Sequence, residues 1–224
     1  MPPGSGTCPA ADYRIDAEGW CGAARRVSSP NQDERSDPEA ADLLIIHNIS
    51  LPPGEFGGPY IEDLFCNRLD YAADPYFERL RPLRVSAHFL IRRDGSLLQF
   101  VPTIARAWHA GASRFGEREH CNDFSIGIEL EGTDMAPFDT VQYATLAGLT
   151  ASLQARHGLR DVAGHEHVAP GRKTDPGLCF DWDFFQRQYN MSSHARHADD
   201  KPSSQAPTAL ADSGLRFPST RHEA

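Results

Sequence analysis

The sequence predicts an α/β domain with a central mixed β-sheet flanked by α-helices, and three local patterns carry that prediction. The apolar run Asp42-Leu-Leu-Ile-Ile-His47 has the length and composition of a strand buried on both faces. Two strand-like runs, Val85 to Arg93 and Ser96 to Val101, flank Asp94-Gly95, a dipeptide that supplies the positive φ of a tight antiparallel turn. Asp139 with Gln142 makes a capping-box pair ahead of the stripe Leu146, Leu149 and Leu153, and Gly158 stops the stripe; this predicts a helix from about Thr140 to His157.

The other elements follow in chain order. The first strand delivers His47 to the sheet edge. Pro59 can open a helix with Ile61, Leu64, Phe65 and Leu69 on one face, suited to packing on the sheet. Ser125-Ile-Gly-Ile-Glu-Leu-Glu131 alternates, with Ile126, Ile128 and Leu130 on one side and Gly127, Glu129 and Glu131 on the other. It is expected to be a strand that turns two carboxylates away from the core. The stretch from Gly164 to Gly177 is punctuated by Pro170, Gly171 and Pro176 and is expected to be a shaped loop without regular structure.

A chain of 224 residues, 40% of them hydrophobic, suits one domain with a real core. The expected organisation is a flexible N-terminus over 1–12, one domain over 13–190, and a disordered tail over 191–224. That tail holds few large apolar residues and no tryptophan or tyrosine. A net charge of −9 argues against nucleic acid and anionic membranes as partners. No segment approaches the ~20 apolar residues of a membrane span, and the start lacks the basic-then-apolar pattern of a secretion signal. A cytoplasmic monomer is expected. Five widely spaced cysteines, Cys8, Cys21, Cys66, Cys121 and Cys179, contain no CxxC pair, which indicates neither a disulfide framework nor a thiolate metal cluster. Cys66 and Cys121 read as structural thiols and not as nucleophiles.

The 164–177 loop gathers His165, His167, Lys173 and Asp175. If residues 172–175 are extended, Lys173 and Asp175 point to the same side. Catalytic zinc takes three nitrogen or oxygen ligands and leaves a fourth position for water. His47, one of the loop histidines and Asp175 would complete such a set, but His88 and His109 are also available and spacing alone does not choose among them. Nor does alternation separate Glu129 from Glu131 as a candidate base.

Five blocks of sequence add a resemblance. They are Leu44-Ile-Ile-His-Asn-Ile-Ser-Leu-Pro-Pro-Gly-Glu-Phe-Gly-Gly-Pro59, Arg84-Val-Ser-Ala-His88, Ala107-Trp-His-Ala-Gly111, Cys121-Asn-Asp-Phe-Ser-Ile-Gly-Ile-Glu-Leu-Glu-Gly-Thr-Asp134 and Ala169-Pro-Gly-Arg-Lys-Thr-Asp-Pro-Gly177. Together they closely resemble the cytosolic 1,6-anhydro-N-acetylmuramyl-L-alanine amidases of cell wall recycling, the AmpD type. The likeness runs in order from about Gly19 to Phe184. It implies the zinc amidase and peptidoglycan recognition protein fold, one zinc ion per chain, and a soluble anhydro-muropeptide as substrate.

The resemblance also assigns roles. His47, His165 and Asp175 align with the family's zinc ligands, which selects His165 over His167. Glu129 aligns with the glutamate that takes a proton from the attacking water, and Lys173 with a lysine that stabilises the oxyanion. Arg84 aligns with an arginine that contacts the end of the peptide stem, and Asn48, Trp108 and Ala110 lie in segments that line the substrate groove. His120 is a departure. The family commonly has arginine at this position, before Cys-Asn-Asp, so the stem carboxylate meets a partly charged imidazole unless Arg118 compensates. The competing reading is a peptidoglycan-binding recognition module without activity. Such a module is expected to lose a metal ligand or the lysine, and all of these residues are present.

Overall fold

The computed structural model describes residues 11–199 and 214–218. In chain order its strands are β1 (Arg25–Arg26), β2 (Gln32–Glu34), β3 (Leu43–Ile49), β4 (Phe89–Ile91), β5 (Leu97–Gln99), β6 (Ala105–Ala107), β7 (Arg114–Phe115), β8 (Arg118–Glu119), β9 (Ser125–Glu131) and β10 (Asp161–Gly164). The α-helices are α1 (Tyr60–Phe65), α2 (Thr140–His157), α3 (His165–Val168) and α4 (Trp182–Asp199). Six strands form the principal sheet in the order β1-β5-β4-β9-β3-β10. Only β4 with β5 is antiparallel, joined through Asp94-Gly95 as the turn dipeptide predicts; the other four pairings are parallel, so the sheet is mixed.

Alternation along the strands divides the core into two faces. Leu44 and Ile46 of β3, Ile126, Ile128 and Leu130 of β9, and Phe89 and Ile91 of β4 share one core with Leu146, Leu149 and Leu153 of α2 and Phe185 and Tyr189 of α4. On the opposite face, Leu90 and Leu98 join Ile61, Leu64 and Phe65 of α1, while Leu43 and Ile45 pack with Ala110, Cys121, Phe124, Ala163 and Val168. Helix α2 starts and stops where its capping residues predict, and Gln142 Oε1 accepts from the Asp139 N–H at 3.0 Å.

Several expectations need correction. Glu129 and Glu131 are both buried, because β9 lies between β4 and β3 and its second face is covered. The 164–177 loop opens with the single helical turn α3, too short for any periodicity to announce. The strand β10 before it is equally silent in the sequence. The expected boundary at residue 190 falls inside α4, which continues to Asp199, and residues 214–218 return to the sheet. The rest of the expected tail, and residues 1–10 of the expected flexible N-terminus, lie outside the described residues. Cys66, Cys121 and Cys179 are free thiols, and burial pushes Cys66 and Cys121 above the ordinary value, which leaves them poor nucleophiles; Cys21 is buried in the core. Cys8 is outside the described residues. Among the described residues, no helix is long and apolar enough to cross a membrane.

His88 shows how the core constrains protonation. It is fully buried, its Nδ1 accepts from the Gly127 N–H at 3.0 Å, and its Nε2–H donates to the Ala105 carbonyl at 3.1 Å. Burial, helped by the charge of Arg35, pushes its pKa down to about 3 from 6.5. Between those values the unfolded chain binds a proton that the folded chain refuses, so this contribution to stability is complete above pH 6.5 and is lost as pH falls toward 3. Urea denaturation midpoints should therefore fall from pH 7 to pH 4. The fall should be shallower in His88→Gln, whose amide can accept and donate without titrating. Equal slopes for the two proteins would remove His88 from the acid response.

Candidate metal centre and active site

Sheet register assembles the site. Leu43, Ile45 and His47 project from the face of β3 opposite α2, and parallel pairing sets His47 level with Glu129 on β9. On the other side of β3, Gly164 of β10 pairs with Ile46, and the chain turns at once into α3, whose first residue is His165. The loop then brings Asp175 back. The Glu166 N–H donates to the Asp175 carbonyl at 2.9 Å, and Asn48 Nδ2 donates to the Pro176 carbonyl at 2.9 Å and to Asp134 Oδ1 at 2.6 Å. Gly177, at φ +84°, permits the approach, because a Cβ there would lie 2.3 Å from Asp134 Cα.

The result is a triangle. His47 Nδ1, His165 Nδ1 and Asp175 Oδ2 each lie 3.0 Å from the other two. The outer contacts assign the protons. The Ala110 carbonyl, which can only accept, lies 3.1 Å from His165 Nε2, so that nitrogen carries the hydrogen and Nδ1 presents a lone pair. Ser125 donates its hydroxyl to the Cys121 carbonyl at 2.6 Å, and its oxygen accepts from His109 Nε2 at 3.3 Å. His109 Nδ1 is then an acceptor, 3.0 Å from His47 Nε2, and the His47 lone pair also sits on Nδ1. Burial keeps His47 neutral, with a pKa near 4.

Two lone pairs and a carboxylate thus face one point, an arrangement that is repulsive without a cation between them. A tetrahedral ion with ligand distances of roughly 2.0–2.2 Å needs donors roughly 3.3–3.6 Å apart. The observed triangle is slightly tighter, and three nitrogen and oxygen donors of this kind fit a divalent metal. His109 completes the support. Its ring occupies space that only a glycine leaves, since a Cβ on Gly127 would meet the imidazole at 2.5 Å.

The two carboxylates of β9 separate cleanly. Glu131 is saturated: Oε1 accepts from Arg92 Nη1 and from the Gly57 N–H, both at 2.7 Å, and Oε2 accepts from the Arg93 N–H at 3.2 Å. Glu129 Oε2 is buried with no hydrogen-bond partner. Burial pushes the Glu129 pKa well above the ordinary range, with Asp175 adding to the shift and the exposed Lys173 opposing it. Lys173 also bears electrostatically on His47, which places its charge at the mouth of the site.

The expected substrate contacts fare unevenly. Ala110 is fully buried and contributes its carbonyl, to His165 and to Arg172, so its side chain does not line a groove. Asn48 acts as a clamp between two loops. Trp108 is partly exposed beside His109. Arg84 and His120 are exposed and make no hydrogen bond to the trio; the Arg84 guanidinium rests on the carbonyls of Arg81 and Leu83. Arg118 pairs both nitrogens with Asp42 and stacks on Phe124, so the expected compensation for His120 is engaged elsewhere. His167 turns away from the trio, its Nδ1 accepting from the Gly164 N–H at 2.8 Å. The roles of His109 and Ser125 carry no sequence signal, because they arise from contacts across the fold.

A mixed sheet carrying a trio that could hold a metal ion, beside an unpaired buried carboxylate, has the groups that a metal-assisted hydrolase needs. The N-acetylmuramoyl-L-alanine amidase model matches residues 37–178. The chain is 55% identical over 179 residues to a 1,6-anhydro-N-acetylmuramyl-L-alanine amidase of Citrobacter freundii, covering 79% of this chain and 96% of the relative. It is 54% identical over 171 residues to the enzyme of that name from Escherichia coli K12, covering 75% and 93%. A crystal structure of a selenomethionine AmpD derivative superposes with a TM-score of 0.75 at 54% identity, covering 78% of this chain and 98% of that one. This chain belongs to the N-acetylmuramoyl-L-alanine amidase family.

The inner contacts make a direct prediction. His109→Phe fills the same space but removes the acceptor for His47, and should weaken metal binding about 10–100-fold in chelator competition. Unchanged affinity would show that His47 is oriented without it.

Proposed function

We propose that this chain is a zinc-dependent hydrolase that cleaves the amide between (1,6-anhydro-)N-acetylmuramic acid and L-alanine in soluble muropeptides, in peptidoglycan recycling. The observation that carries this reading is the unpaired buried carboxylate of Glu129, set in register with His47 beside the converged trio. The names of the relatives supply the substrate class, and the donor set suits zinc.

In this reading His47, His165 and Asp175 hold the ion. Zinc supplies Lewis acidity, which makes water nucleophilic near neutral pH and polarises the amide carbonyl. Glu129 Oε2 takes the proton of the attacking water, and its raised pKa lets it keep that proton long enough to pass it to the leaving amine. The Lys173 ammonium faces the oxygen on which negative charge grows. Arg84 offers a fork of donors to a stem carboxylate, with Trp108 and His120 along the same groove.

Purified protein incubated with anhydro-muropeptide should release free peptide, and release should stop on chelation and return with zinc. Product masses showing cleavage within the peptide, or turnover indifferent to chelator, would reject the assignment. Substitutions at β9 separate chemistry from scaffolding. Glu129→Gln should keep zinc and lose about 10²–10⁴-fold in kcat. Glu131→Gln should instead destabilise the fold, by at most about 3 kcal/mol, because it removes the nearer and more buried of the two carboxylates that pair with Arg92. Lys173→Ala should also retain zinc and lose most turnover, and undiminished turnover would take it out of the mechanism.

A further inference from the structure

Strand β10 ends the principal sheet, and its outer edge would present unpaired backbone groups. Residues 214–218 cover that edge. Arg216 forms a parallel bridge with Asp161; the Val162 N–H donates to the Arg216 carbonyl at 2.8 Å, and the Arg216 N–H donates to the Arg160 carbonyl at 2.9 Å. Arg216 Nε and Nη2 engage both oxygens of Asp161 at 2.6 Å. Leu215 enters the core shared by the sheet, α2 and α4, and the Phe217 ring lies 5.2 Å from that of Phe185 and 5.6 Å from that of Tyr189 on α4. These are one extended segment's backbone, charged fork and two apolar anchors, each met by a matching group.

The position of the segment gives it a consequence. Val162 lies three residues before His165, and Gly164 passes directly from β10 into α3. The segment lies beyond the stretch that the family model covers, which stops at residue 178. The Citrobacter freundii relative is matched over 96% of its length by 79% of this chain, so about a fifth of the chain has no counterpart there.

We propose that residues 214–218 are a detachable strap, an intramolecular strand addition that clamps β10 against β3 and so governs how firmly His165 is held. The apolar anchors hold the strap down, and the fork between the exposed Arg216 guanidinium and the largely buried Asp161 carboxylate fixes its register. When the strap lifts, β10 becomes a free edge with partners on one side only, and the ligand at its end loses a constraint. The metal coupling rests on the zinc reading above; strap docking does not.

The test uses the full-length protein and a Leu215→Ala/Phe217→Ala double variant. Amide hydrogen exchange at Val162 reports docking, and zinc release to a chromophoric chelator reports the coupling. In the double variant Val162 should exchange at least about tenfold faster with the rest of the sheet still protected, and zinc should leave several-fold faster. Asp161→Arg should behave similarly by breaking register, and Asp161→Arg with Arg216→Asp should recover both readouts, which separates lost docking from general damage. Unchanged Val162 exchange in the double variant would overturn docking. Faster exchange with unaltered zinc release would overturn the coupling, and failure of the swapped pair to restore Val162 protection would overturn the role of the fork in docking.

Discussion

Three electron-rich atoms held 3.0 Å apart, from segments more than a hundred residues distant in two of the three pairs, set the terms for the rest of this fold. Nothing in the trio itself favours that arrangement without a cation, so the surrounding structure must enforce it. Each member is gripped from behind. His165 is fixed by a carbonyl, His47 by an imidazole backed by a hydroxyl, and Asp175 by a loop tied down through Asn48 and the Glu166 N–H. The proton assignments run in one direction through these contacts, outward from the centre, and leave each inner nitrogen as an acceptor of positive charge. Such preorganisation is how a protein keeps ligand geometry from relaxing when the site empties.

The same face of β9 holds two carboxylates two residues apart, and their different fates show what separates a scaffold from a reagent. Both are taken out of water, and both would be costly if left ionised without compensation. For Glu131 the compensation is complete: a guanidinium and two backbone donors surround it, and Arg92 continues the network to Glu62 and Arg25. For Glu129 it is withheld, and one oxygen stays unpaired next to the trio. Burial of that kind destabilises the charged form and leaves a group ready to exchange a proton. Along β9 the fold leaves one buried side-chain oxygen unsatisfied, and it is the one beside the trio.

Much of this was legible in the sequence, for reasons that are local. The run before His47, the alternation of 125–131 and the capped stripe of α2 each carry their own period, and the structure has all three elements where the period puts them. Alternation could say that Glu129 and Glu131 share a face. It could not say that the face is covered, because burial depends on α1, Gly57 and the arginines that pack there from elsewhere in the chain. Four-residue elements such as β10 and α3 have no period to read, so the choice between His165 and His167 came from resemblance alone. The structure gives its physical basis: the first residue after β10 points at His47, and the one two further on turns back to the Gly164 N–H. The end of the domain is not legible in the sequence, because Leu215 and Phe217 are too few to register as a core segment, although they join one built by others.

The blocks that carry the resemblance are longer than the ligands they contain, and the inner contacts explain why. The 107–111 segment serves the trio twice, through the His109 ring on His47 and the Ala110 carbonyl on His165. That segment is itself positioned by Asn122 Oδ1, which accepts from the N–H groups of His109 and Ala110 at 3.2 and 2.8 Å. The Asn122 backbone is held in turn by the buried guanidinium of Arg35, which also takes the carbonyls of Asp123, Ala105 and Ser125. Ser125 closes the circuit by accepting from His109. A change at any of these positions reaches the trio within two or three hydrogen bonds, so a trio of three residues constrains a much larger set. The trio is legible here in blocks of sequence because the contacts that hold it extend through them.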